Sequence, residues 1–221
     1  MTKLGSFAFV LHTHLPYSRN AGRWPHGEEW LFEATCETYV PLLEMLEALP
    51  DGLQASLTLS LTPVLLEQLA APEVIAGALD YIEDRTLRAT RDINRFESLG
   101  DSEGAALARF YRDWYAARGA SLRDDMAGDL VGAFRRLTEA RRVEPIASGA
   151  THGFLPLLAR DSSIYAQVRT GVETHRRHLG RSPQGFWLPE CAYRGAIPGD
   201  GARRPGIEDY LDAHGLQFFF V

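Results

Sequence analysis

Apolar runs of strand length recur along the chain, separated by stretches with helical spacing, and this alternation restricts the fold more than any other property. The runs are residues 7–11, 55–61, 144–148, 185–188 and 216–221. Strands with helices between them return in parallel, so the class is α/β. Chemistry-bearing side chains gather just past the ends of these runs, where α/β proteins build their sites. His12 and His14 follow the first, His152 the third, and Glu190 the fourth.

The segments between the runs read as helices. Glu28 and Glu29 open one that continues to about residue 49, with Leu31, Tyr39, Leu42, Leu46 and Leu49 on one face and a kink expected at Pro41. Thr62-Pro63 starts another. Residues 72–142 carry helical spacing only, too long for a simple crossover, and are expected to form a helical insertion. Within it Ser121-Leu-Arg-Asp124 has the form of a capping box, followed by Leu122, Met126, Leu130, Phe134 and Leu137 as an amphipathic stripe. Asp161 is the expected cap of a helix bearing Ile164, Val168, Val172 and Leu179. The 195–205 segment is a Gly/Pro/Arg loop, expected to be exposed, and 207–214 a short helix. Five strands do not close a barrel, and the last one ends the chain without a cap or polar tail. The expectation is the N-terminal part of a larger protein.

The fourth run ends at Pro189, which has no N–H for a sheet ladder. Glu190 follows, flanked by Trp187, Tyr193 and Arg194. A carboxylate beside aromatic faces and a fixed cation suits a carbohydrate site, with Glu190 the candidate nucleophile and Trp187, Tyr193 and Arg194 the candidate binding groups. A local alternative is an acid placed to favour a helix dipole. The pair His12-x-His14 can reach one metal ion, or can grip substrate hydroxyls, or can serve loop backbone. Trp30 is either core or a sugar platform. A zinc hydrolase or polysaccharide deacetylase built on His12, His14 and His152 is a competing reading, although no Asp follows the first strand to complete its ligands.

The formal net charge of −6 argues against a nucleic-acid partner, which needs clustered Lys and Arg. Cys36 and Cys191 are too few and too distant for a disulfide framework. The N-terminus lacks a signal-peptide core, and no run approaches the roughly 18 apolar residues of a membrane span. These features point to a soluble cytoplasmic protein.

Three pieces taken together, residues 9–17 (Phe-Val-Leu-His-Thr-His-Leu-Pro-Tyr), 148–154 (Ser-Gly-Ala-Thr-His-Gly-Phe) and 185–194 (Gly-Phe-Trp-Leu-Pro-Glu-Cys-Ala-Tyr-Arg), resemble glycoside hydrolase family 57. Within it, Trp24-Pro-x-Gly27-Glu-Glu-Trp30-Leu-Phe-Glu-Ala34 and Glu37-Thr-Tyr39 followed by Pro41-Leu-Leu43 look like the 1,4-α-glucan branching members rather than the amylases or glucanotransferases. The resemblance implies a (β/α)7-type barrel, an α-glucan substrate and a retaining mechanism with Glu190 as nucleophile; no cofactor or metal is expected. It carries His12, His14, Trp30, His152 and Trp187 into the substrate pocket. Family members place the acid/base Asp well downstream of the region this chain covers, so an inactive glucan-binding fragment is the alternative for the chain by itself. Asp200, Glu208 and Asp209, the next carboxylates after Glu190, are not expected to be its partner.

Overall fold

The computed structural model of the chain describes residues 5, 7–25, 27–50, 57–198 and 203–221. The strands are β1 (Val10–Thr13), β2 (Leu57–Leu61), β3 (Val143–Ser148), β4 (Gly185–Trp187) and β5 (Phe218–Phe220). The helices are α1 (Glu28–Ala34), α2 (Val40–Glu47), α3 (Pro63–Leu69), α4 (Pro72–Ser98), α5 (Ser102–Ala120), α6 (Leu130–Glu139), α7 (Asp161–Leu179) and α8 (Ile207–Asp212). They divide between two compact units, one of Met1–Tyr17, Gly52–Glu67 and Phe134–Val221, the other of Ser18–Asp51 and Gln68–Ala133.

The first unit holds a sheet of order β1-β2-β3-β4-β5, every neighbouring pair parallel. Sequence order with one direction brings the C-terminal ends of all these strands to the same edge, the arrangement of an incomplete (β/α) barrel. Pairing, rather than hydrophobicity, sets where β1 lies. Its register runs from Val10↔Thr58 to Thr13↔Leu61, while Phe7 and Phe9 of the apolar run are 88% and 55% exposed. The strand is thus displaced toward the histidines, and His12 belongs to it instead of following it. Residues 55 and 56, expected to begin β2, lie outside the described residues.

A buried cluster of Ala147, Leu155, Val168, Phe186, Leu188, Ile207, Leu211 and Leu216 joins β3, β4, α7 and α8, with Val172 half-buried against it. The α7 backbone comes so close to β3 that a Cβ at Gly171 would stand 2.1 Å from the Ser148 carbonyl oxygen. Only glycine permits that approach, which fixes the helix over the strand end where the site forms. The helix stops at Gly180, left-handed at φ 77. Asp161 does not cap it: Arg160 holds the N-cap position, and Asp161, the first helical residue, accepts from Arg204 Nε at 2.9 Å. The loop after β4 is drawn in at its base by an antiparallel bridge between Ile197 and Arg204.

In the second unit the expected kinked helix is resolved into α1, a π-helical turn at Thr35–Tyr39, and α2. Pro41 explains the wide turn, since its ring clashes with the carbonyl four residues back and it donates no hydrogen bond. The buried face carries Leu31, Phe32, Thr35, Cys36, Tyr39, Val40, Leu43 and Leu46, not Leu42. A Cβ at Gly77 of α4 would lie 2.3 Å from the Phe32 ring, so this glycine lets α4 pack against α1. Asp101 caps α5 by accepting from Gly104 N at 2.9 Å. Ser121 is not a cap: α5 runs directly into a second π-helical turn, Ser121–Asp125, with Ser121 in helical geometry. The stripe expected from Leu122 to Leu137 is broken at Ala127 and Gly128, both at positive φ, and α6 begins afresh with Asp129 Oδ1 accepting from Gly132 N at 2.8 Å.

Candidate active site

The parallel register of β1 and β2 sets His12 opposite Ser60. His12 Nδ1 lies 3.0 Å from Ser60 Oγ, and His14 Nδ1 lies 3.4 Å from Thr62 Oγ1. Both hydroxyl residues are fully buried. They orient the two imidazoles, and the sequence reading passed over them because Ser and Thr in an alternating strand look like ordinary strand formers. The signal was present: Ser60-x-Thr62 repeats the spacing of His12-x-His14 at the same end of the sheet.

After β3 the chain turns tightly at 149–152. His152 N donates to the Gly149 carbonyl at 3.0 Å, and Gln167 of α7 braces the turn, accepting from Ala150 N (3.1 Å) and Thr151 N (2.9 Å) and donating to Thr151 Oγ1 (2.9 Å). After β4 a 3-10 turn, Pro189–Cys191, presents Glu190. His152, Glu190 and Cys191 each have φ of 56. A non-glycine residue in this region costs about 1 kcal/mol or more. Such strain persists where the surroundings hold the backbone in place to aim a side chain.

These turns bring His152 against Glu190, and His12, His14 and Trp187 join it in one stack of rings. The rings of His14 and His152 stack with centroids 4.0 Å apart, His12 and His152 at 4.9 Å, and His12 and Trp187 at 4.6 Å. His152 Nδ1 stands 3.5 Å from Glu190 Oε1, with the His152 side chain 4% exposed and that of Glu190 66%. Burial, followed by repulsion from neighbouring imidazoles, lowers His12 and His152 from 6.5 to about 4. Burial also lowers His14, against an opposing pull from the Glu190 carboxylate. At neutral pH the rings are therefore uncharged. The contact between His152 and Glu190 therefore has ion-pair geometry but an uncharged imidazole.

Arg194, the fixed cation that flanks Glu190 in the sequence, is turned to backbone carbonyls. Its Nη1 donates to the carbonyls of Pro205 (3.1 Å) and Gly195 (3.3 Å), which ties together the two ends of the loop after β4. Tyr193 stacks on Phe219 at 5.7 Å, and its hydroxyl donates to Glu208 Oε2 at 2.9 Å. Glu208 is thereby engaged, and Asp209 accepts from Gly206 N at 2.6 Å and from Arg203. Asp200 lies outside the described residues. Trp30 stands 46% exposed on α1, in the unit that does not contain Glu190.

No group of three or more His, Cys, Asp or Glu side chains among the described residues is arranged to hold a metal ion. The imidazoles stack face to face with interplanar angles of 18° and 24°, which sets their nitrogens in near-parallel planes instead of converging on one point as zinc requires. No helix among the described residues is long and apolar enough to cross a membrane. The uncharged imidazoles, half-buried at His12 and His14 and buried at His152, can hold a polyol, and the exposed carboxylate beside them can attack an electrophilic carbon.

Comparison with known proteins agrees with that chemistry. The family model described as glycosyl hydrolase family 57 matches residues 8–221. A 1,4-α-glucan branching enzyme of Thermococcus kodakarensis is 43% identical over 98% of this chain and 32% of its own length. The crystal structure of a GH57-type branching enzyme from Pyrococcus horikoshii superposes with a TM-score of 0.85 at 42% identity, over 96% of this chain and 41% of that one. The α-amylase AmyC of Thermotoga maritima reaches the same TM-score, 0.85, at 30% identity, over 97% of this chain and 39% of that one. The chain thus spans 32–41% of the length of these proteins.

Proposed function

The chain belongs to glycosyl hydrolase family 57, and from that premise we propose that the protein is a retaining transglycosylase of the 1,4-α-glucan branching type. It opens an α-1,4 link in a glycogen-like glucan and rebuilds it as an α-1,6 link, in the cytoplasm, as part of glycogen synthesis. The observation that carries the reading is the exposed Glu190 carboxylate 3.5 Å from a buried, uncharged His152, beside the His12–Trp187 stack. Greater identity to branching enzymes (42–43%) than to the amylase (30%) supports transfer over hydrolysis, since the fold match alone is equal.

In this reading ionised Glu190 attacks C1 of a glucosyl unit as the C1–O4 bond breaks, and a carboxylic acid gives its proton to the leaving O4. Retention calls for that second carboxyl about 5–5.5 Å from the first. The family resemblance assigns it to an Asp downstream of residue 221. The glucosyl ester then yields to the 6-hydroxyl of another glucan, whose proton returns to the same carboxylate while Glu190 is released. The oxocarbenium-like transition state is positive. Neutral imidazoles at positions 12, 14 and 152 can hydrogen-bond sugar hydroxyls without opposing that charge, and Trp187 offers an aromatic platform.

Glu190→Gln tests the assignment in the full-length protein. Amylose is followed through its iodine spectrum, which changes as branching shortens linear runs. The expected outcome is loss of transfer by at least roughly a thousandfold with an unchanged circular dichroism spectrum. A variant that still branches near the wild-type rate would remove Glu190 from the mechanism. Wild-type release of unbranched oligosaccharides alone would favour the amylase reaction.

A further inference from the structure

We propose that the cleft between α4 and α5 is a second α-glucan-binding site, in the unit that does not contain Glu190. The proposal rests on the glucan-active reading above. The cleft has a volume of 330 Å³, near the lower end of ligand pockets and enough for about two glucosyl rings.

Its construction follows from two helix faces read at steps of three and four. On α4 these are Arg85, Arg88 and Ala89, Asp92 and Phe96; on α5, Gly104, Leu107 and Ala108, Tyr111 and Tyr115. Small residues open the floor: Ala89 and Ala108 are buried, and a Cβ at Gly104 would stand 2.8 Å from the Phe96 ring. Aromatic and apolar side chains form the walls and stay in water, with Leu107 57%, Tyr111 45% and neighbouring Phe110 58% exposed. Contiguous exposure of this kind marks a surface that meets a ligand.

The walls are also held in place before any ligand arrives. Tyr115 donates its hydroxyl to Glu37 Oε1 at 2.8 Å, and the Tyr111 ring lies 6.2 Å from that of Tyr115. Rigid rings lose little entropy on binding.

Charge selects the ligand class. Arg85 pairs with Glu29 at 2.5 Å, Arg88 with Asp84 at 2.7 Å, and Asp92 with Arg95 at 3.7 Å. Each charged residue of the lining is matched by its opposite, so a phosphate or nucleic acid finds no surplus cation and a basic peptide no surplus anion. Flat aromatic faces edged by balanced hydrogen-bonding pairs fit a neutral pyranose, apolar on its faces and polar on its rim. A polymer anchored there raises the local concentration of its own chain ends at the catalytic unit, an advantage that a short oligosaccharide cannot use.

Affinity electrophoresis of the full-length protein in native gels containing amylose or glycogen tests the cleft. Tyr111→Ala is expected to weaken retardation by roughly three- to tenfold, while Tyr111→Phe, which keeps the ring, is expected to match wild type. Turnover of short malto-oligosaccharides should be the same in all three. A thermal melt checks folding, and Leu107→Ser serves as the second variant should Tyr111→Ala unfold. Unchanged retardation of the folded alanine variant would overturn the proposal. So would a concentration-dependent dimer, seen by sedimentation, that Tyr111→Ala abolishes, because the face would then belong to a second copy of the chain. The two readings fail separately: wild-type protein that is retarded but never branches strikes the catalytic reading alone, whereas active Tyr111→Ala protein with normal retardation strikes the cleft alone.

Discussion

Acidification should destabilise this protein through its imidazole stack. His12 and His152 fall from 6.5 to about 4 on folding, because burial and then their neighbours disfavour the charged form. A depressed folded value means that stability is fully present above the unfolded value near 6.5, declines as pH falls through the window from 6.5 to 4, and is flat below it. A shift of that size corresponds to about 3 kcal/mol for one ring. The stack opens toward the exposed Glu190 carboxylate, so solvent screening reduces this to about 1–2 kcal/mol per ring. The mutual repulsion of the pair is counted once, leaving a combined loss of about 2–3 kcal/mol. Urea unfolding at a series of pH values measures it, with the His12→Gln/His152→Gln double variant alongside. The variant is expected to be less stable at neutral pH, having lost its stacking, yet flatter across the window by about 2–3 kcal/mol. Carboxylates other than Glu190, which stands against His152, contribute equally to both proteins and cancel. Parallel stability–pH curves with equal m-values would refute the reasoning.

Two further substitutions test the geometry that aims the site. Cys191→Gly, at an exposed position with φ of 56, should raise stability by about 0.5–1 kcal/mol through relief of left-handed strain, net of the extra unfolded-chain entropy; thermal melting reads it, and a destabilised variant would mean that the turn is unstrained. Gly171→Ala forces a methyl toward the Ser148 carbonyl and should cost about 2–3 kcal/mol in chemical denaturation, whereas a neutral result would show that α7 can move off β3.

The strands and the turn at Glu190 were legible because the relevant signals are local: apolar runs of strand length, a proline that stops one, and a carboxylate straight after it. What was hidden depends on partners distant in sequence. Where β1 begins is decided by its pairing with β2, so Phe7 and Phe9 are left in water while His12 is drawn into the ladder. Ser60, Thr62 and Gln167 become site-building residues only once β2 and α7 lie beside the histidines. The charge state of those histidines follows first from their burial and then, for His12 and His152, from neighbouring rings, which no spacing rule conveys. Ser121 misled for a related reason: a hydroxyl followed by an acid three residues on also occurs where a helix continues into a wider turn.

The wide turn at Thr35–Tyr39 has a consequence for how this segment can vary. Leu31, Thr35, Tyr39 and Leu43 are all buried at a strict interval of four. That interval overruns an ordinary α-helical turn by about 40° each time, so three intervals would swing Leu43 about 120° from Leu31. One additional residue looped into the turn takes back about 100° and restores the phase. Excising a single residue there would rotate everything downstream out of alignment, even with each side chain retained. The segment is therefore intolerant of any change in length.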